Sequence, residues 1–241
     1  LQGVALGLAT IGVSLAAFMN VLDSTIAVVA LPAISGSLSA TPSQGSWVLT
    51  IYGVCLAVAL PLAGWVGQRF GQIRAFVWSV GLFTFFSWLC AAAQTFDQLL
   101  VFRALQGLSG GVLLPFSQSI VLRIYPPEKQ GMALGLWGLS AGVAPVAGPV
   151  LGGFITDNFG WPWIFYINIP VGIVSIAICL GLLRHAETAT EKLPVDLVGL
   201  LLMVVGVVCI QLGLDRGHDL HWHGSLEVLL LFLVCRCSLL F

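Results

Sequence analysis

Apolar segments alternate with short polar breaks along the whole chain. Each apolar segment is about 20 residues long, which is the length that an α-helix needs to cross a hydrocarbon core of roughly 30 Å. The pattern predicts an all-α polytopic membrane protein with seven helices and an eighth that begins near residue 225. The first seven are predicted at residues 6–31, 46–66, 75–94, 98–122, 131–155, 163–183 and 196–214.

The composition agrees with this pattern. Hydrophobic residues make up 59% of the chain and charged residues 8%, whereas soluble domains carry about 25% charged residues. No basic cluster indicates a nucleic-acid surface. No H-E-x-x-H, G-x-S-x-G or phosphate-loop motif is present, so we expect neither an enzyme nor a bound cofactor.

Basic residues concentrate in every second break, at Arg69, Arg74, Arg123, Lys129, Arg184 and Lys192. The alternate breaks at 32–45, 95–97 and 156–162 contain Asp97 and Asp157 but no Lys or Arg. Because short cytoplasmic loops hold an excess of Lys and Arg, this distribution predicts that the N-terminus lies on the cytoplasmic side.

Cysteine and histidine do not indicate a metal site. The six cysteines fall mostly inside predicted helices and show no C-x-x-C spacing, which favours packing over disulfides or zinc. His218, His221 and His223, with Asp219 nearby, could bind a metal in an outer loop. A solvated loop at the membrane surface is the favoured interpretation.

The sequence at both ends of the chain suggests a fragment of a longer protein. Leu1 stands where a Met is usual, and no charged segment precedes the first apolar run, as it would in a signal peptide. The ending from Cys235 to Phe241 suggests a truncated or frameshifted terminus. We therefore expect residues to be missing at both ends.

One acidic residue and one basic residue lie inside predicted helices one and four. Asp23 is roughly 13 Å and Arg103 roughly 9 Å from the outer helix ends, at 1.5 Å per residue, so contact between them is permitted. Apolar surroundings favour a neutral carboxyl and a guanidinium favours a charged one. Protonation of Asp23 would then depend on whether Arg103 lies beside it, as in a proton-coupling site. The alternative is a static ion pair between two helices.

Helices two and five share a short pattern that predicts an internal repeat. Pro61 to Gly64 is followed by Phe70-Gly71, and Pro149 to Gly152 is followed by Phe159-Gly160. The two helices would cross the membrane in opposite directions, which is what inverted three-plus-three repeats of transporters predict. Chance similarity is the alternative.

Small residues and prolines mark helices four and five. Arg103, Gln106 and Gly110 share one face of helix four, where glycine would allow a neighbouring backbone to approach closely. The glycines and prolines of helix five predict a bent, closely packed helix beside a pathway. Asn168, two residues before Pro170, could satisfy a kinked backbone or contact a substrate.

Five segments resemble motifs of one transporter family. They are Leu22-Asp23-Ser24-Thr25-Ile26 with Ala30-Leu31-Pro32, Gly64-Trp65-Val66-Gly67-Gln68-Arg69-Phe70-Gly71 with Arg74, Phe102-Arg103-Ala104-Leu105-Gln106-Gly107, the run from Ala144 to Gly153, and the run from Trp161 to Pro170. Together they resemble the major facilitator superfamily, and within it the fourteen-helix drug:proton antiporter branch of EmrB/QacA-type multidrug exporters.

The resemblance implies proton-driven efflux of hydrophobic or cationic compounds across a bacterial cytoplasmic (inner) membrane. In double-membrane bacteria it also implies a periplasmic adaptor and an outer-membrane channel, although QacA-like relatives work without them. The implied site residues are Asp23 and Arg103 for proton coupling, Gln106 and Gly107 in helix four, Gly64, Gly67, Arg69, Gly71 and Arg74 in the loop motif, and Pro145, Gly148, Pro149, Gly152 and Gly153 in the antiporter motif.

Two departures from the family pattern qualify these expectations. Gln68 stands where the loop motif usually has an acidic residue, so a charged gating contact cannot form there in the same way. The family has fourteen helices, of which this chain is expected to hold a six-helix N-terminal bundle in residues 1–185 and a linker with connector helices in residues 186–241. The alternatives are a nutrient or siderophore carrier of the same fold and a non-transporting membrane fragment or subunit.

Overall fold

The computed structural model describes residues 3–184, 186–188, 190, 197–219, 233–234 and 236. These residues are helical with short connections and form no strand. The α-helices are α1 Val4–Ser37, α2 Pro42–Gly45, α3 Trp47–Ala59, α4 Leu62–Phe70, α5 Gln72–Ala91, α6 Phe96–Gly110, α7 Leu113–Ile124, α8 Gln130–Phe159, α9 Trp163–Tyr166, α10 Asn168–Leu182 and α11 Leu197–Asp219.

Among the described residues, five helical segments are long and apolar enough to cross a membrane, and a bent pair counts as a sixth if it forms one span. The prediction of an all-α polytopic membrane protein is confirmed. Predicted helices one to seven correspond to α1, α3 with α4, α5, α6 with α7, α8, α9 with α10, and α11. The start predicted for the eighth helix, near residue 225, lies outside the described residues.

Prolines act differently from expectation in the first two helices. Helix one was predicted to end at residue 31, but α1 continues through Pro32 to Ser37. A proline inside a helix removes only one backbone hydrogen bond, and beyond it the Leu38 N–H donates to the Ile34 carbonyl at 3.0 Å. Helix two was predicted to be continuous, but it breaks at Pro61 and bends by 56° between α3 and α4.

Helix α1 lies at the centre of the bundle. It packs against α7, α8 and α10, while α6 packs against α3 and α5. Buried apolar side chains form one cluster around Met19, Phe76 and Phe116, and a second around Ile34, Leu99 and Phe165. Polar groups between these two clusters therefore lie far from water.

Basic residues from three loops gather at one end of the bundle. Arg123, after α7, donates to the Gln72 side chain at 3.3 Å and to the Ala186 carbonyl. Arg74, at the start of α5, lies 3.9 Å from the Glu187 carboxylate, and the two line a cavity together with Arg184. The loops predicted to share one membrane face thus lie at a common end of the bundle.

The segment after α10 caps the start of α5. The Glu187 carboxylate accepts from the backbone N–H groups of Ile73 and Arg74, each at 2.9 Å, and Thr188 Oγ1 accepts from that of Gln72 at 2.9 Å. The residue before α5 is Gly71, whose φ of 90° favours glycine and which has no side chain to cap the helix. Residues 187 and 188 therefore supply the cap from a distant part of the chain.

Candidate functional site

Asp23 on α1 and Arg103 on α6 form an ion pair in the middle of the bundle. Arg103 Nη1 donates to Asp23 Oδ2 at 2.5 Å, and both side chains are fully buried. The sequence singled out both residues and permitted their contact, and the structure places them together. Buried charges require a partner because apolar surroundings do not solvate them.

Two side-chain amides complete the surroundings of the Asp23 carboxylate. Gln106 Nε2 donates to Asp23 Oδ1 at 2.9 Å, and Asn168 Nδ2 donates to the same oxygen at 2.7 Å. Gln106 Oε1 in turn accepts from Arg103 Nη1 at 2.8 Å. The carboxylate thus accepts three hydrogen bonds, from residues on α6 and α10.

Aromatic rings surround the Arg103 guanidinium. Its Cζ lies 4.0 Å from the centroid of the Tyr52 ring and 5.5 Å from that of Phe165, and its Nε donates to the Val48 carbonyl at 3.4 Å. Among the described residues, Nη2 has no hydrogen-bond partner. The negative faces of the rings attract the cation and offset part of its lost hydration.

A second group of polar residues joins this site to the helices around it. Tyr52 donates to Asn20 Oδ1 at 3.1 Å, and Asn20 Nδ2 donates to the Gly110 carbonyl at 2.5 Å. Asn168 also donates to Ser87 at 2.9 Å. Asn20, Tyr52 and Ser87 were not predicted as site residues from the sequence. A signal for Asn20 existed, since it precedes Asp23 by three residues and so lies on the same helix face.

The helix-four glycines Gly107 and Gly110 allow α6 to approach α3 and α1, respectively. A Cβ at Gly107 would lie 2.5 Å from the Tyr52 carbonyl oxygen and 3.0 Å from Cys55 Cβ. A Cβ at Gly110 would lie 3.1 Å from Asn20 Nδ2. These positions admit glycine because a neighbouring backbone or side chain occupies the space of a Cβ.

The antiporter motif divides between a packed face and an open one. Gly148 and Gly152 on α8 face Thr25 and Ile26 of α1, and a Cβ at Gly152 would lie 3.0 Å from the Ile26 carbonyl oxygen. A Cβ at Gly153 would meet no atom within 4 Å. Pro145 and Pro149 are exposed, and α8 is continuous through both.

The loop motif lies at the end of the bundle that carries the basic residues. A Cβ at Gly67 would lie 3.0 Å from the Phe116 ring, whereas a Cβ at Gly64 would meet no atom within 4 Å. Arg69 and Arg74 are exposed. Gln68 lines a cavity of about 390 Å³ beside Gln72 and Thr188. None of these neighbours of the motif belongs to the hydrogen-bonded group around Asp23.

No group of three or more His, Cys, Asp or Glu side chains that could hold a metal ion occurs among the described residues. His221 and His223 lie outside these residues, while His218 and Asp219 fall in the last turn of α11. The expectation of no metal site stays a prediction.

A family model described as Major Facilitator Superfamily matches residues 13–235. The chain belongs to the major facilitator superfamily. The predicted family is therefore confirmed.

Proteins named for multidrug export and for fatty acid resistance are similar to the chain. It is 46% identical to "Multidrug export protein EmrB" of Escherichia coli (strain K12) over 241 residues, which cover 100% of this chain and 47% of that protein. It is 48% identical to "Fatty acid resistance protein FarB" of Neisseria gonorrhoeae over 231 residues, 96% of this chain and 46% of that protein. The chain spans about half the length of these curated relatives.

A solved transporter structure shares the major facilitator fold. The crystal structure of a variant of peptide transporter POT in complex with alafosfalin matches 92% of this chain and 53% of its own, with a TM-score of 0.70. Sequence identity is 15%, so this likeness concerns the fold alone.

Proposed function

We propose that this chain is part of a proton-driven exporter of hydrophobic or cationic compounds, in which Asp23 binds the coupling proton and Arg103 is its modulating partner. The observation that carries the proposal is the fully buried ion pair, with Arg103 Nη1 at 2.5 Å from Asp23 Oδ2. A carboxylate placed at such depth in lipid is costly and is functional by default.

Protonation of Asp23 changes the force between α1 and α6. Two unit charges 4 Å apart attract each other by about 4 kcal/mol at an effective dielectric constant of 20. A proton on Asp23 removes this attraction and frees Arg103 from its partner. The same event can alter the position of α1, on which the bundle is centred.

Helix α8 is suited to follow a movement of α1. Gly148 and Gly152 bring it against Thr25 and Ile26, two and three residues beyond Asp23, and Thr25 Oγ1 donates to the Ala144 carbonyl at 3.4 Å. Large apolar side chains on α8, such as Val146 at 73% and Val150 at 71% exposed, face outward from the described bundle. A shift of α1 would thus reach the surface of α8, as alternating access requires.

An apolar cavity between α1 and α8 supports a hydrophobic substrate. Its volume is about 530 Å³, and Ile11, Phe18 and Leu136 line it together with Ser14 and Ser140. Small-molecule sites occupy about 300 to 1,000 Å³ and combine apolar walls with a few polar groups. The names of the relatives, multidrug export and fatty acid resistance, agree with such substrates.

We further propose a bacterial cytoplasmic membrane location with the N-terminus inside. Support comes from the gathering of Arg74, Arg123 and Arg184 at one end of the bundle together with the positive-inside rule. A periplasmic adaptor and an outer-membrane channel are proposed partners in double-membrane bacteria, on the ground of the similarity to EmrB. The loop-motif residues Gly67 and Gly71 would maintain the packing at this end.

Dye export and substrate-coupled proton release in inverted membrane vesicles test the proposal. The full-length protein that contains this chain is compared with its Asp23→Asn variant. Asp157→Asn is the matched control because Asp157 is an exposed carboxylate at the last turn of α8. We expect Asp23→Asn to abolish both signals and Asp157→Asn to retain them. Export with unchanged pH dependence in Asp23→Asn would contradict the proposal. A parallel assay of residues 1–241 alone shows whether they transport without further sequence.

A further inference from the structure

The side chain of Asn168 connects the Asp23 carboxylate to a buried hydroxyl group. Its Nδ2 donates to Asp23 Oδ1 at 2.7 Å and to Ser87 Oγ at 2.9 Å. Ser87 Oγ in turn donates to the Phe165 carbonyl at 2.9 Å. Asn168 and Ser87 are 1% and 0% exposed, so bulk water does not compete for these partners.

The other amide at Asp23 cannot change its orientation while Arg103 is in place. Gln106 Oε1 accepts from Arg103 Nη1, and Gln106 Nε2 donates to Asp23. Reversal of this amide would point its NH₂ group at a guanidinium, which can only donate. Gln106 therefore serves as a donor to a charged Asp23 and has no acceptor to offer a protonated one.

Asn168 has no such restraint. Among the described residues, no hydrogen bond holds its side-chain carbonyl, whereas both bonds of its NH₂ group are to Asp23 and Ser87. Reversal of an amide exchanges a donor for an acceptor with little change in shape, and a hydroxyl can rotate to donate in a new direction. A reversed Asn168 can accept from a protonated Asp23 while Ser87 donates to the same carbonyl.

We propose that Asn168 is a positioning residue for the coupling proton, donating to the Asp23 carboxylate and, when reversed, accepting from the Asp23 carboxyl. The proton comes from solution and stays on Asp23, and the amide only changes the direction of its hydrogen bond. This inference rests on the proposed function, because Asn168 has this role only if Asp23 carries the proton.

In the described part of the chain, the other charged and titratable groups near Asp23 are Arg103 on α6, Tyr52 on α3 and Cys90 on α5. Helices α9 and α10 contain no charged residue, and the one on α8 is Asp157 in its last turn. Asn168 and Gln106 are thus the neutral hydrogen-bonding partners of the carboxyl, and Asn168 alone has an amide that can reverse.

The pH profile of substrate-coupled proton release in the full-length protein tests this role. Asn168→Leu has a similar size but can neither donate nor accept. Asn168→Thr restores a group that can do both. Ser175→Ala is the matched control, since Ser175 is also a buried residue of α10 that donates to α1, at the Gly12 carbonyl, at 2.7 Å.

We expect Asn168→Leu to shift the midpoint of the pH profile by about one unit, a ten-fold change. The bond that Asn168 donates to the charged carboxylate is worth more than the bond that a reversed Asn168 accepts from the neutral carboxyl, so the two losses do not cancel. Asn168→Thr should recover at least half of that shift, and Ser175→Ala should keep the wild-type midpoint. Ser87→Ala should produce a smaller shift than Asn168→Leu and provides the test if that variant does not accumulate.

An unchanged midpoint in Asn168→Leu, or in Ser87→Ala where the former does not accumulate, would overturn the inference. An equal shift in Ser175→Ala would also overturn it, because the effect would then come from loosening of α10. The Asp23→Asn variant distinguishes a failure of the proposed function from a failure of the role of Asn168. Coupled export that survives Asp23→Asn refutes the proposed function itself, whereas loss of coupling in Asp23→Asn with a wild-type midpoint in Asn168→Leu refutes only the role of Asn168.

Discussion

The guanidinium of Arg103 lies against the ring of Tyr52, with 4.0 Å between Cζ and the ring centroid. Tyr52 also donates from its hydroxyl to Asn20 on α1 at 3.1 Å. One residue of α3 thus contacts the cation of the ion pair and the helix that carries Asp23. Its ring and its hydroxyl have separable roles.

Substitutions at Tyr52 should separate these roles. Tyr52→Phe keeps the ring and loses the hydrogen bond, so we expect a loss of about 1 kcal/mol in stability with export retained. Tyr52→Leu also removes the cation–π contact, worth about 2 kcal/mol in a desolvated site, and should reduce export at least ten-fold. Thermal unfolding in detergent and dye export measure the two effects. Equal export in the two variants would contradict a role for the ring.

Removal of Arg103 should be more damaging than removal of the whole ion pair. Arg103→Leu leaves Asp23 buried without its cation, which costs about 3 to 5 kcal/mol for a buried pair. The double variant Arg103→Leu with Asp23→Asn removes both charges and should regain much of this stability. Coupled export should stay absent in both. Thermal unfolding would contradict the expectation if the double variant were less stable than the single one.

Lysine should not be able to perform the role of arginine at position 103, as tested by Arg103→Lys. In the structure Nη1 donates to both Asp23 and Gln106 while the planar group lies against Tyr52. A lysine ammonium is a compact charge without the planar fork. We expect at least a ten-fold loss of export with normal protein levels in the membrane, measured by dye export and immunoblotting. Export at the wild-type rate would show that the charge alone suffices.

Substitution of glycine by alanine should affect stability differently in α6 and in α8. A Cβ at Gly107 would lie 2.5 Å from the Tyr52 carbonyl oxygen, so the two helices must separate, and overpacking costs about 1 to 3 kcal/mol. Gly138 on α8 is the control, because a Cβ there would meet no atom within 4 Å. We expect thermal unfolding to show destabilisation by Gly107→Ala and no loss in Gly138→Ala. Equal effects would contradict the close approach of α6 to α3.

The cap on α5 should protect the first backbone amides of this helix from hydrogen exchange. Glu187→Ala removes the acceptor for the N–H groups of Ile73 and Arg74, at a cost of about 1 kcal/mol for a helix cap. Hydrogen exchange at these two amides should become faster by about five-fold. Glu128→Ala is the control, since Glu128 is exposed in the short helical turn that precedes α8. Unchanged exchange in Glu187→Ala would contradict the role of Glu187 as the cap of these two amides.

Hydropathy alone predicted the helices. Apolar side chains are costly in water and unpaired backbone groups are costly in lipid, and both costs depend on each segment by itself. The positions of α1, α5, α8 and α10 followed from runs of apolar residues. The break at Pro61 could not be predicted in this way, because a proline does not always interrupt a helix. Helix α1 continues through Pro32, and α8 continues through Pro145 and Pro149. Whether a proline interrupts a helix depends on the neighbours that satisfy the freed backbone groups.

The sequence also identified Asp23 and Arg103, since a charge within an apolar run is conspicuous whatever surrounds it. Only the tertiary structure decided their partners. Asn168 is 145 residues from Asp23 along the chain, and Glu187 is 114 residues from Ile73. Neutral Tyr and Ser side chains, such as Tyr52 and Ser87, are cheap enough in a membrane helix to give no signal of their own. They become part of the site because packing brings them against a buried charge or against one of its hydrogen-bond partners, where buried donors and acceptors must be paired.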